Sequence, residues 1–580
     1  METKKRSIGY DDGVSDLSES SYPKKVKIYS VILIMTLLIS AVLLSVVLTL
    51  PLEVPERSYI SYTTHAPILI DGDAGFLGLN ATTGISRGSG TSVDPYIIEG
   101  WGVDASTANG IQIQNSHLFF TIRNCYAHDG GGSYRGIYLF TCMNGTVMGN
   151  NCSNNFDNIL LSVSSKISVY NNNCSYSTSG YSMVLHKSGN NSVHNNNCND
   201  SDIGILVATS SNNNSVYNNN CSLNERGIVL DNSAIKNRVS NNNCSFNDRG
   251  IWLWSSSENR ISDNNCSSNN YDGIWLHTSS NCTISNNTCK SNAQYGINLT
   301  SSSNKNTLIN NTCSSNSLAG IVLESSYNNT MSNNICSNNP DGIFLGSLSN
   351  DNTIRNNTCS NNQYGITVFS SSSKNTLSNN TCNSNSLHGI YLDSSSDDVL
   401  SNNTCSNNQY GITVYSSSNR NVLNDNTCDL NTNYGIYLDL SSNDNTIVRN
   451  QLRNNTLHGA YLGTGSNNRI WNNTFIGNNG AGSTRDTAHL QAHDGGTNNH
   501  WNTSDSPHGY GNYWSDWTTP DADFDGIVDK TYNLTAGVGP MDYYPLTTPA
   551  PPIPEFSELI VPILGLVLIA LISGRTRKRP

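Results

Sequence analysis

CSNNQYGITVFSSSSKNTLSNNT (359–381), CNSNSLHGIYLDSSSDDVLSNNT (382–404) and CSNNQYGITVYSSSNRNVLNDNT (405–427) are three consecutive copies of one unit. Working outward in both directions, its leading cysteine recurs every 22 to 24 residues: Cys152, Cys174, Cys198, Cys221, Cys244, Cys266, Cys289, Cys313, Cys336, Cys359, Cys382, Cys405 and Cys428. A period of this length means a solenoid, in which each unit buries its apolar face only against its neighbours.

The apolar positions inside the unit decide which solenoid. Five residues before the cysteine stands an aliphatic residue or methionine, from Val147 through Met331 to Leu423. After it comes Gly-Ile-x-Leu or a close variant, as in Gly227-Ile228-Val229-Leu230 and Gly389-Ile390-Tyr391-Leu392. Apolar residues two apart have the period of a strand. The Ser-, Asn- and Asp-rich runs between them are turn chemistry. Leucine-rich repeats and collagen are excluded, the first by the missing Leu consensus, the second because glycine falls about once per unit. The pattern predicts a right-handed parallel β-helix.

Two residues before each ladder cysteine stands an asparagine, from Asn150 and Asn172 to Asn403 and Asn426. Stacked about 4.8 Å apart, such amides can donate to one neighbouring rung and accept from the other, which reads as structural. Leu452 and Phe475 take the cysteine's place later, so the slot faces the core and the cysteines read as buried, reduced, small hydrophobes. With Cys125 this gives about 16 rungs, a rod of roughly 75 Å. Cys142 and Cys282 lie off the ladder and are expected to be the more reactive thiols.

Two apolar segments bracket the repeats. Residues 28–50 carry no charge and follow Lys24, Lys25 and Lys27, which predicts a transmembrane signal anchor with its start in the cytoplasm. Residues 557–573 precede Arg575, Arg577, Lys578 and Arg579 and predict a second membrane helix. The expected order is a cytoplasmic tail (1–27), the anchor (28–50), a cap or linker (51–95), the β-helix (96–480), a C-terminal cap (481–546), a Pro-rich linker (547–556), the second helix (557–573) and a basic tail (574–580). Residues 51–556 are then extracytoplasmic on a cell membrane. The net charge of −12 and pI near 5.4 exclude a phosphate-tracking surface, so no nucleic-acid partner is expected.

Asp94-Pro-Tyr-Ile-Ile-Glu-Gly-Trp101 at the start and Gly511-Asn-Tyr-Trp-Ser-Asp-Trp517 with Asp542-Tyr-Tyr-Pro-Leu546 at the end carry a family likeness. With the rungs between them, the chain resembles the NosD-like β-helix proteins, a family named for periplasmic copper binding. The resemblance implies the fold and an extracytoplasmic setting. Copper is not carried over, because the seven methionines form no run and most of the twelve histidines stand alone. His489, His493, His500 and His508 are the one sequence cluster offering soft-metal ligands. Pro554-Glu555-Phe556, the apolar stretch and the basic tail resemble the PEF-type sorting signal of archaeal surface proteins, which implies archaeosortase processing.

Asp521, Asp523, Asp525 and Asp529 around Gly526 have calcium-loop spacing, with Tyr532 where the bidentate glutamate belongs. The reading is a calcium-like site or an Asp-rich turn fixing the cap. For function, glycoside hydrolysis needs two carboxyls roughly 5 to 10 Å apart. Among the outward acids Asp231, Glu324, Asp393 and Asp439, only the last two, two rungs and about 10 Å apart, reach that range. No catalytic residue is therefore assigned, with a polysaccharide lyase or hydrolase as the alternative and a NosD-like metal (copper) handling protein as the second. The outward x of Gly-Ile-x-Leu is Trp252, Trp275, Tyr391 or Tyr437 in several rungs, with Trp254 alongside. Flat aromatics on a polar face suit sugar rings, while strands also favour aromatics for packing alone. The expectation is a structural, adhesive or carbohydrate-binding protein whose partners are envelope glycans or surface proteins.

Overall fold

The computed structural model describes residues 62–549, apart from 78–83, 179, 504–508 and 536–538. It is an all-β parallel solenoid of about 17 turns. The long sheet stacks mostly six-residue strands, such as Arg226–Asp231, Arg249–Trp254 and His388–Asp393, each parallel to the next. The short sheet stacks three-residue strands such as Arg238–Ser240 and Arg260–Ser262. A third line of single bridges runs beside the cysteines, for instance Thr358 to Thr381 to Thr404. The long sheet begins with Ile68–Asp71 and still includes Ala492–Asp494, so stacking reaches into both regions assigned to caps.

Register follows from the apolar pattern, since a slip of one residue would turn every core side chain outward. Ile390 and Leu392 of the long strand, Leu400 of the short strand and Cys405 all point inward and are fully buried. Each turn contributes one such layer, and the layers form a continuous core. The glycine of Gly-Ile is required by close approach. A Cβ on Gly389 would stand 2.6 Å from the Gly411 carbonyl oxygen and 2.8 Å from the Cys405 Cβ.

Asparagine ladders hold the bends. The Asn357 backbone and side-chain N–H groups both donate to Oδ1 of Asn380 at 3.0 Å, and its side chain also donates to the Met331 carbonyl at 3.1 Å. The residue before each such asparagine adopts the left-handed conformation, as at Asn356 (φ 55°) and Asn379 (φ 55°), where asparagine is among the better tolerated types. Two further ladders run in parallel, one through Asn214 and Asn237, another through Asn408 and Asn431. Most buried polar groups at the bends are thereby paired, with Asn385 Nδ2 and Asp398 Oδ2 as exceptions, which is what permits so polar a sequence to have an interior.

The expected flanking transmembrane helices are corrected. Among the described residues the helices are the one-turn segments Asp73–Phe76 and Asn478–Gly480, and none is long and apolar enough to cross a membrane. Within the described residues the strand period of two leaves no continuous apolar stretch long enough to span a bilayer. Segments 28–50 and 557–573 lie outside the described residues. All sixteen cysteines are free and buried, Cys142 and Cys282 included. Burial pushes those two thiols up to about 11 and about 12, which counters the expectation that they are reactive.

Candidate functional site

The outward face of the long sheet gathers the aromatics into two clusters. In the first, Trp252 and Trp275 stack on adjacent rungs, 5.0 Å apart and 7° from parallel. The stack occupies the ring faces. The Arg226 guanidinium lies 4.8 Å over Trp252, and that of Arg249 lies 4.8 Å over Trp275 and 4.7 Å over Tyr271. Arg249 also pairs with the buried Asp272 at 3.7 Å. Burial nonetheless pushes the Asp272 carboxyl up to about 6, against the pull of that guanidinium.

Trp254 differs from its neighbours. It stands nearly perpendicular to Trp252 (87°), stacks on His277 at 4.1 Å and keeps 37% of its surface exposed. On its N-terminal side lies an open depression of about 260 Å³. Trp252 and Trp254 line it together with Leu206, Val229, Arg226 and Asp231. An aromatic wall, an aliphatic floor and a charged rim can take one face of a small polar ring.

The second cluster lies further along the same face. The Tyr391 hydroxyl donates to Asp393 and the Tyr437 hydroxyl to Asp439, each at 2.8 Å. Burial first, then these carboxylates, push both phenols up and keep them protonated. Burial works against ionisation of Asp439, yet the Tyr437 hydroxyl and the Leu440 and Thr464 N–H groups hold its carboxyl below the usual range. Asp231 and Glu324 lie on other rungs, outside these pairs.

At the C-terminal end, carboxylate oxygens of Asp521, Asp523 and Asp525 lie within 4.8 Å of one another. Asp529 is not in this group, and its Oδ2 accepts the Ala522 N–H at 2.8 Å. Tyr532 is fully buried, stacked 4.0 Å from Trp514, with its hydroxyl on Asp516 at 3.2 Å, and can supply no ligand. The three carboxylates fit part of a hard-cation shell, and Asp529 serves the loop backbone instead. The histidines are not brought together as ligands. His493 stacks on Tyr461, His489 pairs with Asp486, and His508 lies outside the described residues.

Sequence reasoning passed over the residue directly before the rung glycine. That position supplies Arg226 and Arg249 to the tryptophans, and His388, Tyr410 and Tyr434 to the tyrosines. The signal was legible, because these residues keep a fixed offset from Gly227, Gly250, Gly389, Gly411 and Gly435.

Residues 319–519 match the family described as periplasmic copper-binding protein (NosD). Residues 79–221, 109–266 and 226–381 match the right-handed β-helix region, together just over half of the chain. No curated protein matches. Among solved structures, the A-module of mannuronan C-5 epimerase AlgE6 from Azotobacter vinelandii is 13% identical, with 60% of this chain and 86% of that one covered and a TM-score of 0.28. A periplasmic alginate epimerase, AlgG, is 12% identical over 74% of this chain and 83% of its own, with a TM-score of 0.26. The Dettilon tailspike protein is 13% identical over 59% and 60%, with a TM-score of 0.28. At such scores no activity is carried over from them. The two sequence matches and the stacked parallel rungs agree: the chain belongs to the right-handed β-helix family, as a NosD-like repeat protein.

Proposed function

We propose that this protein is an extracytoplasmic glycan-binding rod, which holds polysaccharide on the outward face of its long sheet. The observation that carries the reading is the depression beside Trp254, where an exposed indole borders the Leu206 and Val229 floor and the Arg226 and Asp231 rim. Sugars combine apolar ring faces with hydroxyl edges, so they need this mixture of aromatic wall and charged rim. The rest of the rod is a rigid, ladder-bonded scaffold that spaces such positions at a fixed interval.

The test is retention of the full-length chain on a polysaccharide array, with product release read in parallel and with calcium present or absent. Retention that falls about tenfold or more on Trp254→Ala, with no product released, supports the reading. Released product would replace it with an enzyme working at Asp393 and Asp439. Absence of retention on every glycan would remove it.

A further inference from the structure

The tyrosine cluster names a ligand class, an inference that rests on the glycan-binding reading above. Tyr391 and Tyr437 occupy one column of the long sheet, with Thr413 between them. Each donates its hydroxyl to the carboxylate two residues further on. Tyr415, on the intervening rung, stands 6.3 Å from Tyr391 and 6.2 Å from Tyr437, tilted by 42° and 44°. The arrangement is thus a Tyr–Asp pair, a tyrosine, and a second Tyr–Asp pair. Its period is two rungs, about 10 Å at the strand spacing.

That step is the length of one disaccharide in an extended β-1,4-linked chain, whose alternate residues present the same edge. A curled α-1,4-linked chain cannot hold the register. An ionised carboxyl offers about four lone-pair sites, and Asp393, which accepts two hydrogen bonds within the protein, keeps acceptor capacity for a ligand. Asp393 uses its other oxygen on the Ser394 hydroxyl at 2.9 Å; the other oxygen of Asp439 takes the Leu440 N–H at 2.7 Å and the Thr464 N–H and hydroxyl at 3.1 Å, so at that pair the Tyr437 hydroxyl oxygen is the acceptor left for a ligand. A groove of about 500 Å³ runs alongside, lined in part by Ser394 and Leu440, the residues that follow the two acids.

Charge narrows the class further. From rung 364 to rung 463 the outward columns carry Asp393 and Asp439 and neither Lys nor Arg. His388 is half-buried, and its removal from water pushes it down to about 4, so it is neutral at pH 7. On these strands an acidic polysaccharide would meet two carboxylates with no cation beside them; the nearby turns hold Lys374 and Arg420, both beside Asp397. We infer that this face binds an extended, neutral β-1,4-linked glycan lying along the rod axis, one Tyr–Asp pair to each disaccharide.

The experiment is calorimetric titration of the full-length chain with cello-, manno- and xylo-oligosaccharides of two to six units. Malto-oligosaccharides and oligomannuronates serve as the α-linked and acidic comparisons. In at least one neutral β-1,4 series, affinity is expected to rise about tenfold between the disaccharide and the tetrasaccharide, as the second pair is engaged. Asp439→Asn, or Tyr437→Phe with unchanged melting, should cancel that rise and leave the disaccharide affinity intact. Two results overturn the inference while leaving the glycan-binding reading in place. One is a preference for the comparison sugars; the other is binding that is lost on Trp254→Ala but indifferent to both Asp439→Asn and Tyr437→Phe. Failure of every sugar in the titration overturns the inference, and absence of retention on the whole array overturns the glycan-binding reading with it.

Discussion

Asp398 stands in an asparagine's place one rung beyond Asn375, accepting its backbone N–H at 2.7 Å and its side-chain N–H at 3.2 Å on the same Oδ1. Elsewhere in this ladder the other side-chain atom is a donor, as when Asn421 Nδ2 reaches the Ser395 carbonyl at 3.1 Å. The Asp398 Oδ2, at the position of that donor, is buried without a partner. Two oxygens cannot pair unless one carries a proton. Burial accordingly pushes the carboxyl up to about 7, with Asp397 alongside adding to the rise. Asp397 is itself held by Arg420 at 2.8 Å.

The sign follows from linkage. Between the unfolded value near 4 and the folded value near 7, the folded chain binds more protons than the unfolded one, so stability falls as pH rises through that window. Below it both states are protonated, and above it the loss is complete, at most about 4 kcal/mol. Asp398→Asn restores the missing donor. The variant is expected to melt higher than the parent at pH 8 and close to it at pH 4. Equal melting at pH 8 would show that the carboxylate is accommodated in some other way.

The repeat itself was fully legible in the sequence, because Ile390, Leu392, Leu400 and Cys405 each mark one inward position per turn. The ladder through Asn357 and Asn380 was legible from its fixed offset to the cysteine. The other two ladders were not, since Asn214 and Asn408 are camouflaged among exposed asparagines of the same turns. At the candidate site the column of Trp252 and Trp275 was legible, but its consequence was not. Spacing alone does not tell that the rings cover each other and leave Trp254 as the open one. Spacing left Asp529 open to an ion or to an Asp-rich turn, and its Oδ2 lies on the Ala522 N–H, a turn contact set by local backbone geometry.

The cysteine column should be chemically silent. All sixteen thiols are buried, and removal from water disfavours the thiolate, pushing Cys174 and Cys221 upward. Titration with a thiol-reactive chromophore is expected to give no rapid reaction in the native chain and all sixteen equivalents after denaturation. Rapid native labelling of Cys142 or Cys282 would locate an opening in the rod.

Gly389 tests the packing between turns. An added methyl would press on the Gly411 carbonyl, the Asn408 amide and the Cys405 Cβ, all within 2.8 Å. None of these can withdraw without moving the next rung. Gly389→Ala is expected to cost about 2 to 3 kcal/mol in denaturant unfolding. A neutral outcome would mean that the rungs separate more readily than the ladders suggest.

The tryptophans should divide by role. Trp275→Ala removes the stacking partner of Trp252 and the surface beneath Arg249, and should lower stability by roughly 2 kcal/mol. Trp254→Ala removes a partly exposed ring that stacks on His277 and meets Trp252 and Trp275 edge-on, and should cost less than Trp275→Ala, about 1 kcal/mol, while weakening glycan retention. Calorimetric melting of both variants, run beside the array, separates packing from binding. If both lose stability alike, retention alone cannot assign Trp254 to the ligand.

The C-terminal end of the core is closed by aromatic rings rather than by another turn. Trp514 is sandwiched between Phe475 at 4.2 Å and Tyr532 at 4.0 Å, and its indole N–H donates to the buried Asp542 at 2.9 Å. Because each rung of a solenoid is stabilised mainly by its neighbours, loss of a cap should act locally and propagate inward. Trp514→Ala is therefore expected to speed amide hydrogen exchange in the last turns, around Ile447 and Ile470, and to leave the turns around Val216 and Val239 protected. The gradient is the informative readout. Uniform loss of protection along the rod would mean that the whole stack unfolds as one cooperative unit, and the cap would then set global stability instead of guarding one end.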